Sequence, residues 1–191
     1  MEQHWYKKMS EEQVVLHCSP TLEGIKPGSL FSVKMDSEDE FITQMTQINR
    51  QLRPAGVRII PLRRTSGKAL VYVYRVSALK TYFQQKDVAQ LLREYGYHPE
   101  CPGGCIARLG DKLRHTREFP HEVGLFLGYP AEDVSGFVRN KACGFKCVGT
   151  WKVYGDVAKA QRKFDEFEAS TRRCVRKFHS GATLRELTRV R

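Results

Sequence analysis

Val57-Arg58-Ile59-Ile60-Pro61-Leu62 and Ala69-Leu70-Val71-Tyr72-Val73-Tyr74-Arg75-Val76 are two runs rich in β-branched and aromatic residues. Arg63-Arg64-Thr65-Ser66-Gly67-Lys68 joins them. Such residues suit a pleated, half-buried surface, and a short polar connector containing glycine predicts a β-hairpin. Just upstream, Phe41, Met45, Ile48 and Leu52 recur at helical spacing. They make one apolar stripe, with the acidic Ser37-Glu38-Asp39-Glu40 at the end where the helix dipole favours negative charge. Pro54 and Gly56 close that helix. A helix delivered onto a hairpin predicts an α+β (mixed α/β) fold.

Working outward, Leu30-Phe31-Ser32-Val33 reads as extended, and so does the apolar run Val14-Val15-Leu16-His17-Cys18. Ser19-Pro20 then has the form of a helix start, Ser as N-cap and Pro at the first position. Downstream, Leu79, Tyr82 and Phe83 predict a helix. Asp87 reads as the N-cap of another, lined by Val88, Leu91, Leu92 and Tyr95 and stopped at Gly96. Residues 105–115 read as helical, Pro120-His121-Glu122 opens the apolar segment 123–129, and Pro130 opens a short helix with Val134, Phe137 and Val138 inward. Residues 148–154 form the last expected strand. Gly155-Asp156 caps a long C-terminal helix striped by Val157, Ala160, Phe164, Phe167, Thr171, Cys174 and Phe178, read as packing against the sheet. The expectation is a single domain over residues 1–180, about four strands packed by helices, with a basic tail over 181–191.

The chain has 191 residues, of which 41% are hydrophobic, enough for a sizeable core and too many for wholesale disorder. No apolar run approaches the roughly 20 residues of a membrane helix. The start, Met1-Glu2-Gln3-His4-Trp5, lacks the basic and apolar regions of a secretory signal. A cytoplasmic location with six reduced cysteines is therefore expected. The formal net charge is +11. It concentrates between Arg50 and Lys68, which holds Arg50, Arg53, Arg58, Arg63, Arg64 and Lys68 and no acid, and in residues 159–191. A positive field favours anionic partners, either small molecules or nucleic acid.

Three stretches carry a resemblance. They are Leu16-His17-Cys18-Ser19-Pro20-Thr21-Leu22-Glu23-Gly24-Ile25-Lys26-Pro27; then Phe119-Pro120-His121-Glu122-Val123-Gly124-Leu125-Phe126-Leu127-Gly128-Tyr129-Pro130 with Asp133-Val134; and Gly149-Thr150-Trp151-Lys152-Val153-Tyr154-Gly155-Asp156. Together they resemble the bacterial domain-of-unknown-function family numbered 3793, over about residues 14–174. The resemblance implies a bacterial, single-domain, cytosolic protein and assigns no activity.

Chemistry-bearing residues fall into four groups. Cys18, placed before an expected helix N-terminus, would have its thiolate favoured by the backbone N–H groups there. His121 is its candidate partner in nucleophilic catalysis, with Glu122 as a neighbouring acid or base. Ser19, Thr21 and Lys26 would line the same turn, Lys26 meeting an anionic group. Small-residue packing is the competing reading for Cys18, and helix capping for Glu122. Next, Cys101-Pro102-Gly103-Gly104-Cys105 and Cys143-Gly144-Phe145-Lys146-Cys147 are two C-x3-C pairs. Four thiolates could hold zinc or an iron–sulfur cluster, with unrelated loop cysteines or a reversible dithiol as alternatives. Third, the Pro120-His121-Glu122 corner begins like a zinc-protease motif but has Leu125 where the second His is needed. Fourth, the 63–68 loop lacks the upstream glycine of a P-loop, which excludes that class of nucleotide triphosphatase.

The functional expectation is a small-ligand- or metal-handling protein, with thiol-dependent catalysis as one form of it, its site made by the 18–26 turn and His121. The alternative is a nucleic-acid-binding module using the 50–68 region and the basic C-terminal helix, with Tyr72, Tyr74, Trp151 and Tyr154 as stacking candidates.

Overall fold

The computed structural model describes residues 7–116 and 118–188. The first six residues, which include the start read for a signal, and residues 189–191 of the basic tail lie outside them. The described chain divides into two compact units, one running to Val76 and resuming at Ser170, the other spanning Ser77–Ala169.

In the first unit, three antiparallel strands are ordered β1-β3-β2: β1 Gly28–Lys34, β2 Val57–Thr65 and β3 Lys68–Arg75. The hairpin matches expectation. Thr65 faces Lys68, so the loop is only Ser66 and Gly67, and Gly67 takes φ +79°, which a side chain would strain. Pro61 sits in β2 at the sheet edge, where its missing N–H breaks no ladder, and the register shifts just after it. Helix α2, Glu38–Leu52, buries Phe41, Met45, Ile48 and Leu52, and Ser37 caps it by accepting the Glu40 N–H at 3.3 Å.

The run 14–18 is not a strand. It lies inside helix α1, Glu11–Leu22, whose N-cap is Ser10 rather than Ser19. Ser10 Oγ accepts the Gln13 N–H, Glu11 and Glu12 fill the first turn, and Ser19-Pro20 falls in the last. Val14, Cys18 and Leu22 repeat every four residues and are fully buried, while Leu16 is exposed; that spacing is helical. The last carbonyls of α1 have no partner within the helix. Arg75 supplies one. Its Nε donates to Thr21 O at 2.8 Å and its Nη2 to Leu22 O, while the same guanidinium reaches Ala55 O at 3.3 Å and Thr188 O at 2.8 Å. Residues 181–188 hold helix α9, Leu184–Leu187, closed by a Thr183–Glu186 capping box, and its two leucines join the core with Cys174.

In the second unit, helices α3 Val76–Phe83, α4 Lys86–Glu94, α5 Pro102–His115, α6 Val123–Phe126 and α7 Ala131–Arg139 precede a two-stranded hairpin, β4 Cys147–Val148 and β5 Lys152–Val153. Asp87 lies in the first turn of α4; Gln85 is its N-cap. The single strand expected over 148–154 is split because Gly149-Thr150 turns the chain back. A Cβ on Gly149 would lie 2.3 Å from the Phe164 ring, so only glycine fits there. Phe83 and Tyr97 both meet Phe126 edge-on, with centroids 5.2 and 5.3 Å away. Helix α8, Val157–His179, contains the boundary between the units. Its first half belongs to the second unit, where Phe164 and Phe167 close on Trp151 at 4.5 and 6.3 Å between centroids, and its second half to the first unit, where Cys174 joins the core.

Replacing Arg75 by Leu removes a shared donor from four carbonyls in three separate segments, the end of α1, Ala55 and Thr188. An unfolding titration should show a loss of about 3–5 kcal/mol. A loss under about 1 kcal/mol would show that those carbonyls find other partners.

Candidate functional site

The second unit contains a cavity of about 360 Å³, within the size range of small-molecule sites. Its walls come from three segments. Phe119, His121, Val123 and Gly124 belong to the corner and α6; Tyr129, Asp133, Val134 and Phe137 run from there along α7; Val148, Gly149, Thr150, Trp151 and Lys152 belong to the β4–β5 hairpin. The last two of the three stretches quoted for the family resemblance therefore meet across this space.

Asp133 holds them together. It is buried, in the first turn of α7. Its Oδ2 accepts the Trp151 indole N–H at 2.7 Å, and its Oδ1 accepts the backbone N–H groups of Tyr154 and Gly155 at 2.7 and 2.8 Å. A buried carboxylate without donors would be prohibitively placed; with three it fixes the hairpin against α7. The Trp151 ring then stacks on Tyr129 at 4.8 Å and 27°. Close packing at the base depends on Gly124, whose Cβ would lie 2.8 Å from Val134 and 3.2 Å from Tyr129. The Tyr129 backbone is held in turn by the Tyr82 hydroxyl, which donates to Tyr129 O. Burial pushes the Tyr129 phenol up to about 12.

His121 and Glu122 are adjacent but do different things. His121 is exposed and lines the cavity, its ring edge-on to Phe137 at 5.1 Å. Glu122 is buried, its carboxylate accepting from Lys112 Nζ at 2.6 Å and from the Tyr97 hydroxyl at 3.0 Å. Lys112 also donates to Tyr95 O and lies 4.5 Å above the Tyr97 ring. Both partners of that ion pair are satisfied, and Glu122 is not part of the cavity wall. Neither the indole N–H of Trp151 nor Asp133 stood out in the sequence, yet a buried Trp needs an acceptor, and an acidic residue in the adjoining motif is the natural one.

The other expected site residues lie in the first unit. Cys18, Ser19 and Thr21 have no exposed surface, and Lys26 has 9%. Thr21 Oγ1 and Ser29 Oγ share a hydrogen bond of 2.8 Å, Cys18 hydrogen-bonds with Ser29, and Ser19 Oγ donates to Val15 O within its own helix. The structure thus brings Cys18, Thr21 and Lys26 together around Ser29, as a closed cluster. Cys18 sits mid-helix, not at a helix start, and burial raises its thiol well above the ordinary range instead of lowering it. Its proposed partner His121 falls in the other unit.

The two C-x3-C pairs do not form the expected ligand set. Among the described residues, no group of three or more His, Cys, Asp or Glu side chains could hold a metal ion. Cys101 is the N-cap residue of α5 and Cys105 lies one turn on, its buried thiol donating to His98 O at 3.1 Å. Burial pushes that thiol up to about 11. Cys143 is exposed in the loop after α7, and Cys147 begins β4. In that loop Lys141 and Ala142 take φ +46° and +62°, a left-handed conformation costing on the order of 1 kcal/mol per non-glycine residue.

The pattern of the family described as protein of unknown function (DUF3793) matches residues 14–188. Neither a curated protein nor a solved structure matches the chain. No helix among the described residues is long and apolar enough to cross a membrane.

Two measurements check these assignments. Asp133→Asn keeps an oxygen for the two amides but sets an NH2 group against the indole N–H; about 2–3 kcal/mol of stability should be lost, with a shift in Trp151 emission. Unchanged emission would show that Asp133 does not hold the indole. Lys26 supplies the second. Burial lowers its ammonium from 10.5 to about 8. Between those values the unfolded chain holds a proton that the folded chain has released, so this group makes stability rise with pH across that window. Relative to Lys26→Met, the wild-type protein should gain roughly 3 kcal/mol from pH 8 to pH 10.5. Titrating buried tyrosines and cysteines is common to both proteins and drops out of the difference. Parallel stability curves would show an ordinary, hydrated Lys26.

Proposed function

For a chain that belongs to the DUF3793 family, we propose a role in binding a small molecule, with the second-unit cavity as its site. The observation that carries this reading is the cavity itself: about 360 Å³ walled by Phe119, Phe137, Tyr129 and Trp151 and braced by one fully hydrogen-bonded carboxylate. Apolar and aromatic walls with a few fixed polar groups are what a small-molecule pocket requires. His121 belongs to this site. Cys18, Ser19, Thr21 and Lys26 are left out of it, because they are buried in a core cluster of the first unit, where burial disfavours the Cys18 thiolate. The reading is therefore of a ligand-binding protein without thiol catalysis.

The nucleic-acid alternative is less favoured, because several of the basic residues are paired locally. Arg64 pairs with Glu38, Arg173 with Glu23, and Lys163 with Glu166 at 2.7 Å. Surface charges neutralised in this way release few counterions on meeting a phosphate backbone.

A neutral two-ring probe, 2-naphthamide, tests the pocket. In a Trp5→Phe background Trp151 is the remaining tryptophan. Titration should quench its emission saturably, with Kd of about 1 mM or tighter. Thr150→Phe, at an exposed wall position, should weaken binding at least about tenfold. Absence of saturable quenching, or equal affinity in the blocked variant, overturns the pocket.

A further inference from the structure

We infer that the cavity takes an anion with a flat apolar body, its negative group held at the Phe137 end by Lys152 and His121. This rests on the small-molecule reading above and adds the ligand's charge and shape.

The shape follows from the walls. Stacked and edge-on rings at Tyr129, Trp151 and Phe137 leave flat faces and edges that suit an aromatic body better than a branched one. The charge follows from which groups already have partners. Asp133, the one acid in the wall, gives both oxygens to Trp151 and the hairpin amides. A cationic ligand would have to take one of those oxygens from its donors. Aromatic walls also attract cations, but Lys152 already occupies that position, its Nζ 5.9 Å from the Phe137 ring centre and 4.7 Å from that of Phe145.

Lys152 has donors to spare. An ammonium carries three N–H groups. One reaches Ala142 O at 2.9 Å; among the described residues no other acceptor engages the remaining two. The carbonyl that fixes the ammonium belongs to the left-handed turn at Lys141 and Ala142, so a locally unfavourable backbone conformation helps hold the charge beside Phe137. His121 meets the same ring edge-on at 5.1 Å, and its ring nitrogens have no hydrogen-bond partner among the described residues. A half-buried cation with two unfilled donors, next to an imidazole and an apolar wall, is complementary to a carboxylate, sulfonate or phosphate group on an aromatic body.

Three probes of one shape separate this inference from the pocket itself: 2-naphthoate, 2-naphthamide and 2-naphthylmethylammonium. Calorimetric titration of the full chain should give naphthoate at least tenfold tighter than either of the others, which is about 1.4 kcal/mol. Lys152→Gln should erase that advantage, so that naphthoate and the amide probe bind the variant within about threefold of each other. Should the variant fail to fold, added salt on the wild-type protein serves: naphthoate affinity should fall and amide affinity hold. Equal binding of the three, a preference for the ammonium probe, or an anion preference that survives Lys152→Gln overturns the charge assignment and leaves the pocket standing. Binding by none of them removes the pocket as well.

Discussion

A carboxylate out of water is tolerated only when donors replace the water it has lost, and at Asp133 all three donors come from the β4–β5 hairpin and the two residues after it. This requirement shapes the second unit. The two amides that Oδ1 engages, those of Tyr154 and Gly155, fix where β5 ends and α8 begins. The indole N–H on Oδ2 fixes the plane of Trp151. Once that plane is set, one neighbour must stack and another must meet it edge-on, and Tyr129 and Phe164 do so at 4.8 and 4.5 Å. The close approaches that result are available only at residues without side chains, which is why glycines stand at 124 and 149. The cavity is the space these commitments leave over.

The first unit meets similar demands with the opposite result. Arg75 is a buried cation, and four carbonyls from distant segments satisfy it. Cys18, Ser19, Thr21 and Ser29 satisfy one another or their own helix. The residue types there are those of an active site, yet the Ser19, Thr21 and Ser29 hydroxyls are engaged within the cluster or its helix and the thiol carries no exposed surface. Residue type shows what chemistry is available; the remaining hydrogen-bonding capacity decides whether it can be used on anything else. By that measure Lys152 has capacity left, and Glu122, which accepts from both Lys112 and Tyr97, has little.

The sequence disclosed the elements far better than their convergence. The Phe41–Met45–Ile48–Leu52 stripe, the 57–76 hairpin and the long C-terminal helix were legible because each is a local period matched by local caps. The 14–18 run misled because five successive residues without a break look extended, while the governing signal stood earlier, in Ser10 with Glu11 and Glu12 behind it. His121 was legible as a candidate from its place in a quoted motif, and it lines the cavity. Asp133 and Trp151 were on the page in the same motifs, but the bond between them spans 18 residues, and nothing in a linear reading says that an acid in one segment faces an indole in another. The cysteine pairs failed as a metal set for the same reason: spacing within each pair is local, and bringing the pairs together is not.

That distinction bears on how the basic charge should be read. A net charge of +11 invites a polyanion. Charge summed along a sequence ignores pairing, however, and several of the basic residues in those stretches carry acidic neighbours. Exposed pairs of this kind contribute about 0–1 kcal/mol each to stability, so they say little about the fold. What they do is flatten the local field. An ammonium that is half-buried and only one-third engaged is a stronger recognition element than several exposed, paired ones, because the low-dielectric wall beside it screens less than water does. Lys152 is in that position, with an apolar cavity on one side and a left-handed turn fixing it from the other. The physics therefore points away from the most basic segments of the chain and toward one lysine in a hairpin of modest charge.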